Sequence, residues 1–186
     1  MKLRIISGLL KGRFITVPDS TDFRPTSERT RESLSEIIKL QLPGKRVADF
    51  CAGSGAMGFE MISRGASHVD FIEIDRARAA TINKNAQDLG ISECCRVITK
   101  DIRSFLENAS EFYDIIFFDP PYDNEILKNL TSKLLQKLTE SGILIYEFRK
   151  TRASKLTLQP EKTDTPYDSR LFGDTVVEFY CKPIVL

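Results

Sequence analysis

From Val47 onward the chain alternates short apolar runs with segments whose apolar residues recur every three or four positions. The runs predict strands at 47–51, 69–74, 95–99, 114–118 and 142–147, and the recurring segments predict helices near 56–64, 76–89, 101–108 and 124–139. The helix over 76–89 puts Ala79, Ile82, Ala86 and Leu89 on one face and stops at Gly90, a residue suited to a left-handed cap. The helix over 124–139 groups Leu127, Leu130, Leu134 and Leu138 and stops before Gly142. Ile115-Ile116-Phe117-Phe118 is apolar at every position, as in a strand covered on both faces. Repeated strand–helix units with right-handed crossovers imply an α/β domain, a mostly parallel sheet with helices on both faces. The tail breaks the pattern: Thr175 to Cys181 is a strand with no helix before it, and Gly173-Asp174 supplies a turn, so an antiparallel edge hairpin is expected.

Ahead of this core, Leu3 to Ile6 and Arg13 to Val17 alternate as two short strands joined through Ser7-Gly8 and Lys11-Gly12, a β-hairpin appended to the main sheet. Thr26-Ser27 caps a helix with Glu28 in its first turn and Leu34, Ile37 and Ile38 at helical spacing, ending before Pro43-Gly44; Arg29 falls away from that stripe. At 186 residues and 41% apolar content the expectation is one domain, a hairpin extension over 1–26 and a core over 27–186. No apolar segment approaches the ~20 residues that span a bilayer, and Met1-Lys2-Leu3-Arg4 lacks a signal peptide's apolar stretch, so a soluble, cytoplasmic protein is expected.

The net charge is only +1, but residues 1 to 46 hold ten Lys and Arg against five Asp and Glu. The first 18 residues carry Lys2, Arg4, Lys11 and Arg13 with no acid, as a phosphate-contacting surface would. Cys51, Cys94, Cys95 and Cys181 show no paired metal-ligand spacing and are read as reduced packing residues; His68, the one histidine, is expected in a surface loop.

The segment Asp49-Phe50-Cys51-Ala52-Gly53-Ser54-Gly55-Ala56-Met57-Gly58 places G-x-G-x-x-G between a strand and its helix. Glycines that merely permit a tight turn explain the spacing equally well. A nicotinamide dinucleotide site is a second reading, because Glu73 lies 20 residues after Gly53, where a ribose-binding acid belongs. Asp49, just before the loop, would repel a pyrophosphate but suits the ammonium of an amino-acid moiety. Asp101, after the third strand, is placed to accept an adenine amino group, and Asp119 follows the fourth. Four acids at four successive strand ends around one glycine loop describe a cationic nucleoside, S-adenosylmethionine. Asp119-Pro120-Pro121-Tyr122 is a rigid turn with one carboxylate, free carbonyls and one ring, suited to a planar group bearing an NH2.

Asp49-x-x-Ala52-Gly53-Ser54-Gly55, Phe71-Ile72-Glu73-x-Asp75, Asp101 and Asp119-Pro120-Pro121-Tyr122 resemble the class I S-adenosylmethionine-dependent methyltransferases that act on exocyclic amines. Arg4-Ile5-Ile6-Ser7-Gly8, Lys11-Gly12-Arg13 and Arg24-Pro25-Thr26-x-x-Arg29-x-Arg31-Glu32 resemble the RsmD-type 16S ribosomal RNA guanine-N2 methyltransferases, over nearly the whole chain. The resemblance implies a Rossmann-like, seven-stranded sheet and an enzyme that methylates the N2 amine of a guanine in small-subunit ribosomal RNA. It implies Asp49, Ala52, Gly53, Ser54, Gly55, Glu73, Asp101, Ile102 and Asp119 at the cofactor, and Asp119, Pro120, Pro121 and Tyr122 at the amine. It also implies Arg4, Lys11, Arg13, Arg24, Arg29 and Arg31 toward RNA, although the last three suit the cofactor carboxylate as well. Ribosomal RNA or the small subunit is the implied partner, with a monomer acting without metal or membrane. Cys51 departs from the family, which more often has an aromatic residue there. A DNA adenine-N6 or cytosine-N4 methyltransferase shares Asp-Pro-Pro-Tyr but should carry a separate target-recognition region, for which the chain has little room. A non-catalytic RNA-binding subunit would not need both motifs intact.

Overall fold

The computed structural model describes residues 1–18, 28–121, 130–149 and 165–182. The chain divides into two compact units, Met1–Ala109 and Ser110–Leu186.

In the first unit, β1 (Lys2–Arg4) pairs antiparallel with β2 (Phe14–Thr16), which is the expected hairpin. Helix α1 (Glu28–Ile37) follows, with Leu34 buried and Arg29 exposed. Then come β3 (Arg46–Phe50), α2 (Ala56–Ser63), β4 (His68–Glu73), α3 (Arg76–Leu89), β5 (Cys95–Thr99) and α4 (Ile102–Asn108). Strands β3, β4 and β5 are parallel neighbours. The α3 stripe is buried as its periodicity requires, and Gly90 closes the helix at φ 73.

The second unit holds β6 (Tyr113–Phe118), a short helix α5 (Thr131–Leu135), β7 (Leu138–Arg149), β8 (Asp168–Phe172) and β9 (Thr175–Cys181). Strand β7 runs parallel to β6, and β9 antiparallel to both β7 and β8, with the turn at Gly173 (φ 63). The seven sheet strands run mostly parallel, in the order β5-β4-β3 within the first unit and β6-β7-β9-β8 within the second. The α/β class expected from the alternating pattern is therefore the one observed.

Two boundaries differ. The helix expected over 124–139 ends at Leu135, its first part (124–129) lying outside the described residues. Leu138 is instead the first residue of β7, fully buried and paired with Tyr113, after which the register shifts so that Ile115 faces Ile143. A leucine four residues after another suits either element, so periodicity could not tell strand from helix here. Gly142 permits the irregularity: a side chain there would crowd Leu138 Cβ and the Tyr113 carbonyl, both at 3.0 Å. His68 is not in a loop but opens β4, with Nε2 3.2 Å from the buried Asp70 carboxylate; Arg46 and Arg96 also pair with Asp70, at 2.9 Å each. The four cysteines are free, and Cys181 is exposed rather than packed.

A two-stranded hairpin alone is marginal in water. This one is held along both edges and at its turn. On the β1 side, Glu60 Oε1 accepts the Ile6 N–H at 2.8 Å, and Arg31 donates to the Arg4 carbonyl at 3.3 Å. On the β2 side, the Asn85 carboxamide accepts the Thr16 N–H at 2.9 Å and donates to the Thr16 carbonyl at 2.8 Å. At the turn, Leu9 N–H donates to the Ser63 carbonyl at 2.7 Å, and Ser63 Oγ accepts from Leu10 N–H at 2.9 Å while donating to the Ser7 carbonyl. Ile5, Ile15 and Val17 beneath are each 1% exposed.

Gly8 makes this seating possible, since at φ 83 a side chain would be strained and its Cβ would overlap the Ser63 carbonyl. Gly8→Ala should therefore lower stability by about 2–4 kcal/mol, from overpacking plus the left-handed backbone. Urea midpoints measure the loss, and exchange at the Ile6 and Leu9 amides should accelerate. An unchanged midpoint would mean the turn reseats freely.

Candidate active site

The glycine loop connects β3 to α2. Gly53 (φ 55) and Gly55 (φ 72) both use left-handed backbone, and so does Cys51 (φ 61), the one non-glycine residue among those described with positive φ. Gly53 N–H donates to Glu73 Oε2 at 2.7 Å, Ala52 N–H to the Ile72 carbonyl at 3.1 Å, and Gly55 N–H to the Ala52 carbonyl at 2.7 Å. Ser54 is buried, its Oγ accepting the Ala56 N–H at 3.3 Å. Gly58 serves close packing: a side chain there would run into the Phe71 ring and reach Asp49 Oδ2 at 3.0 Å. Asp49, 2% exposed, accepts the Gly58 N–H through that oxygen at 3.0 Å.

Glu73 ends β4 with 3% exposure. Besides holding Gly53, it accepts Asp75 N–H at 2.8 Å and Arg78 Nε at 3.2 Å through Oε1. Asp75 in turn caps α3, its carboxyl held below the ordinary range by the Arg78 N–H. Asp101 caps α4 in the same way, accepting Arg103 N–H at 2.9 Å and Ser104 N–H at 3.4 Å. The Arg103 guanidinium grips both Asp101 oxygens at 3.0 Å, which more than any other contact lowers the pKa of this carboxyl. Ile102 beside it is 5% exposed. Asp49, Glu73 and Asp101 thus stand at the carboxyl ends of three adjacent parallel strands, where ligands of such sheets gather. With positive-φ glycines and a helix start beside them, these residues fit a cationic nucleoside.

In the second unit, Asp119 is half-buried at the end of β6, Pro120 is buried and Pro121 exposed. Tyr122 lies outside the described residues. Phe118 stacks on Tyr146 of β7 at 5.2 Å, and the two are paired in parallel register. Glu147 is 2% exposed. Sequence reasoning missed it, although one acid in an apolar strand marks a buried carboxylate.

Among the cations assigned to RNA, Lys11, Arg13 and Arg29 are exposed. Arg13 donates to the Asp88 carbonyl at 3.1 Å, and Arg4, 57% exposed, pairs with Glu28 at 3.0 Å. Arg24 lies outside the described residues. Arg31 is a correction: it is 1% exposed, and its guanidinium faces inward to Glu60 at 3.1 Å, out of reach of a phosphate. Its place in an arginine-rich segment hid this, because α1 turns it toward α2 while Arg29 faces solvent.

A family model described as "Conserved hypothetical protein 95" matches residues 3–181. Fold and family together define an S-adenosylmethionine-dependent methyltransferase. Within that class, the chain belongs to the conserved hypothetical protein 95 family, the family of RsmD. It is 32% identical over 180 residues to "Ribosomal RNA small subunit methyltransferase D" of Haemophilus influenzae, covering 92% of this chain and 93% of that one. The solved structure of yhhF from Escherichia coli superposes with TM-score 0.83 at 27% identity, 98% of each chain being covered. A methyltransferase structure complexed with SAH shares the fold at TM-score 0.62 and 16% identity, over 78% of this chain and 49% of that one. Among the described residues no helix is long and apolar enough to cross a membrane, and no group of three His, Cys, Asp or Glu is placed to hold a metal ion.

Because Glu73 is both a rim acid and the acceptor for two backbone donors, its removal should show in stability. Glu73→Ala leaves the Gly53 and Asp75 amides without that acceptor and should cost about 1–3 kcal/mol. Glu73→Gln, which keeps one oxygen acceptor, should lose roughly half as much. Urea denaturation compares them; equal losses in both would show that charge, not amide satisfaction, holds the loop.

Proposed function

We propose that this protein transfers the methyl group of S-adenosylmethionine to the exocyclic N2 amine of a guanine in 16S ribosomal RNA. The observation that carries the proposal is the Asp119-Pro120-Pro121 turn at the end of buried β6, in a chain whose first 18 residues are basic and free of acids. The small-subunit ribosomal RNA activity in the relatives' name supports the substrate class. The cofactor supplies an electrophilic methyl on a sulfonium centre.

Asp49 takes the ammonium of the amino-acid moiety, Glu73 the ribose hydroxyls and Asp101 the adenine amine, with Ile102 beside the ring and Ala52, Gly53, Ser54 and Gly55 lining the approach. Arg103 already occupies both Asp101 oxygens, so adenine shares a carboxylate whose negative charge is assured. A guanine N2 amine is a weak nucleophile because its lone pair is delocalised into the ring, and position must supply what reactivity lacks. The Asp119 carboxylate and the Pro120 carbonyl each accept an N–H of the amine, which aims the lone pair outward. Tyr122 stacks on the base, and the amine proton leaves after transfer. Two prolines keep this acceptor pair rigid. Arg4, Lys11, Arg13 and Arg29 neutralise RNA phosphates, giving affinity that carries no base sequence information.

The deciding experiment incubates the protein and methyl-labelled cofactor with deproteinised RNA, with small ribosomal subunits lacking the modification, and with DNA. Label at guanine N2 of 16S RNA is expected; label in DNA alone would overturn the proposal. Asp119→Ala should slow single-turnover methylation by about 100- to 1000-fold while RNA affinity changes little, because the acceptor acts at the reacting centre. Methylation at near wild-type rate would make the tetrapeptide a structural turn. Lys11→Ala should reduce the log–log salt slope of RNA binding by roughly 0.7–0.9 and leave cofactor affinity unchanged. Lys11 is the cleaner probe, since Arg13 also ties β2 to α3. A fall in cofactor affinity with an unchanged slope would make the hairpin part of the cofactor site.

A further inference from the structure

Alternation along the hairpin sends Ile15 inward, where it is 1% exposed, and puts Lys2, Arg4, Phe14 and Thr16 on the opposite, outer face. Phe14 is 58% exposed. Its cross-strand partner is Arg4, and the next pair on that face is Lys2 with Thr16. Whatever packs on such a ring gains from the apolar area that it removes from water.

We propose that the outer face of the hairpin is a single-stranded RNA platform on which Phe14 stacks an unpaired base while Lys2 and Arg4 contact the flanking phosphates. Neither Phe14 nor Lys2 has a part in the methyl transfer proposed above, although the inference rests on RNA being the substrate. Three observations favour a nucleotide. The face carries Lys2 and Arg4, and among the described residues the acid paired with it is Glu28, 3.0 Å from Arg4. It is small: two strands of three residues offer far less than the roughly 800 Å² per side of a standard protein–protein interface, but enough for one base. It is also rigid, because Glu60, Arg31, Ser63 and Asn85 hold the hairpin, so the ring is displayed without ordering a loop on binding. A planar ring flanked by cations is how proteins bind unstacked nucleotides, with little dependence on which base is stacked.

The test uses full-length protein and a short single-stranded RNA carrying 2-aminopurine, whose fluorescence is quenched when it stacks. The wild type should quench the probe. Phe14→Ala should weaken binding about fivefold or more, without changing the salt slope because no charge is lost. Phe14→Trp should bind at least as well as the wild type, and Phe14→Leu, apolar but not planar, should be as weak as Phe14→Ala. Fully duplexed RNA should not distinguish the variants. The side chain is exposed, so all three variants should keep wild-type cofactor affinity, which serves as the control for folding.

Phe14→Leu binding like the wild type would overturn stacking and leave a plain apolar contact, such as a protein neighbour would make. Unquenched probe, or Phe14→Ala with unchanged affinity, would also overturn it. If the wild type quenches the probe but methylates no RNA, the proposed function fails and the platform stands. If it methylates RNA and Phe14→Ala binds normally, only the platform fails.

Discussion

The structure of the first unit depends on one carboxylate, Glu60, which is fully buried in the helix that follows the glycine loop. It accepts the Ile6 N–H and the Arg31 guanidinium, so a single side chain fixes the hairpin, α1 and α2 against one another. Burial pushes its pKa up and that of Arg31 down, and their mutual attraction opposes both shifts. Such a pair contributes little net stability over well-packed apolar residues, because two charges must leave water. Removing one partner is a different matter, costing about 3–5 kcal/mol for the charge left behind. What Glu60 contributes is placement: its Oε1 gathers one donor from the N-terminal segment and one from α1.

The same helix begins just after its N-cap Gly55 and carries Gly58 against Phe71 and Asp49. One face of α2 therefore packs the candidate cofactor residues, while Glu60 and Ser63 seat the basic hairpin. The rim acids are similarly shared. Glu73 and Asp101 accept backbone amides and arginines of their own chain before any ligand arrives. Their oxygens are held in position by the fold, so little side-chain entropy remains to be lost on binding.

Much of the architecture was legible because its signals are local. The α3 stripe with Gly90, the all-apolar β6 and the glycine loop each fall where a few consecutive residues put them. The start of β7 was not, because Leu138 continues a helical spacing while its burial comes from pairing with Tyr113, 25 positions earlier. Arg31 was misjudged for the same kind of reason. Charge suggests an exposed side chain, and only Glu60, 29 residues away, makes burial tolerable. Asp70, with Arg46, Arg96 and His68 converging on it, was invisible in sequence because its partners come from three strands. Of the candidate site, the residues could be named from motifs, but their present commitments could not: Arg103 on Asp101 and Gly53 on Glu73 are facts of geometry.

The seating of the hairpin also bears on how the chain emerges from the ribosome. Thr16 cannot meet Asn85 until 69 further residues have been made, which at about 5–20 residues per second takes roughly 3–14 s. Through that interval the hairpin segment stays undocked and cationic. Its lysines and arginines keep it hydrated and discourage pairing with other nascent edges, a protection that β1 and β2 would lack if their outer positions were apolar. Charges proposed above to meet RNA thus have an earlier occasion to act, one that precedes the fold itself.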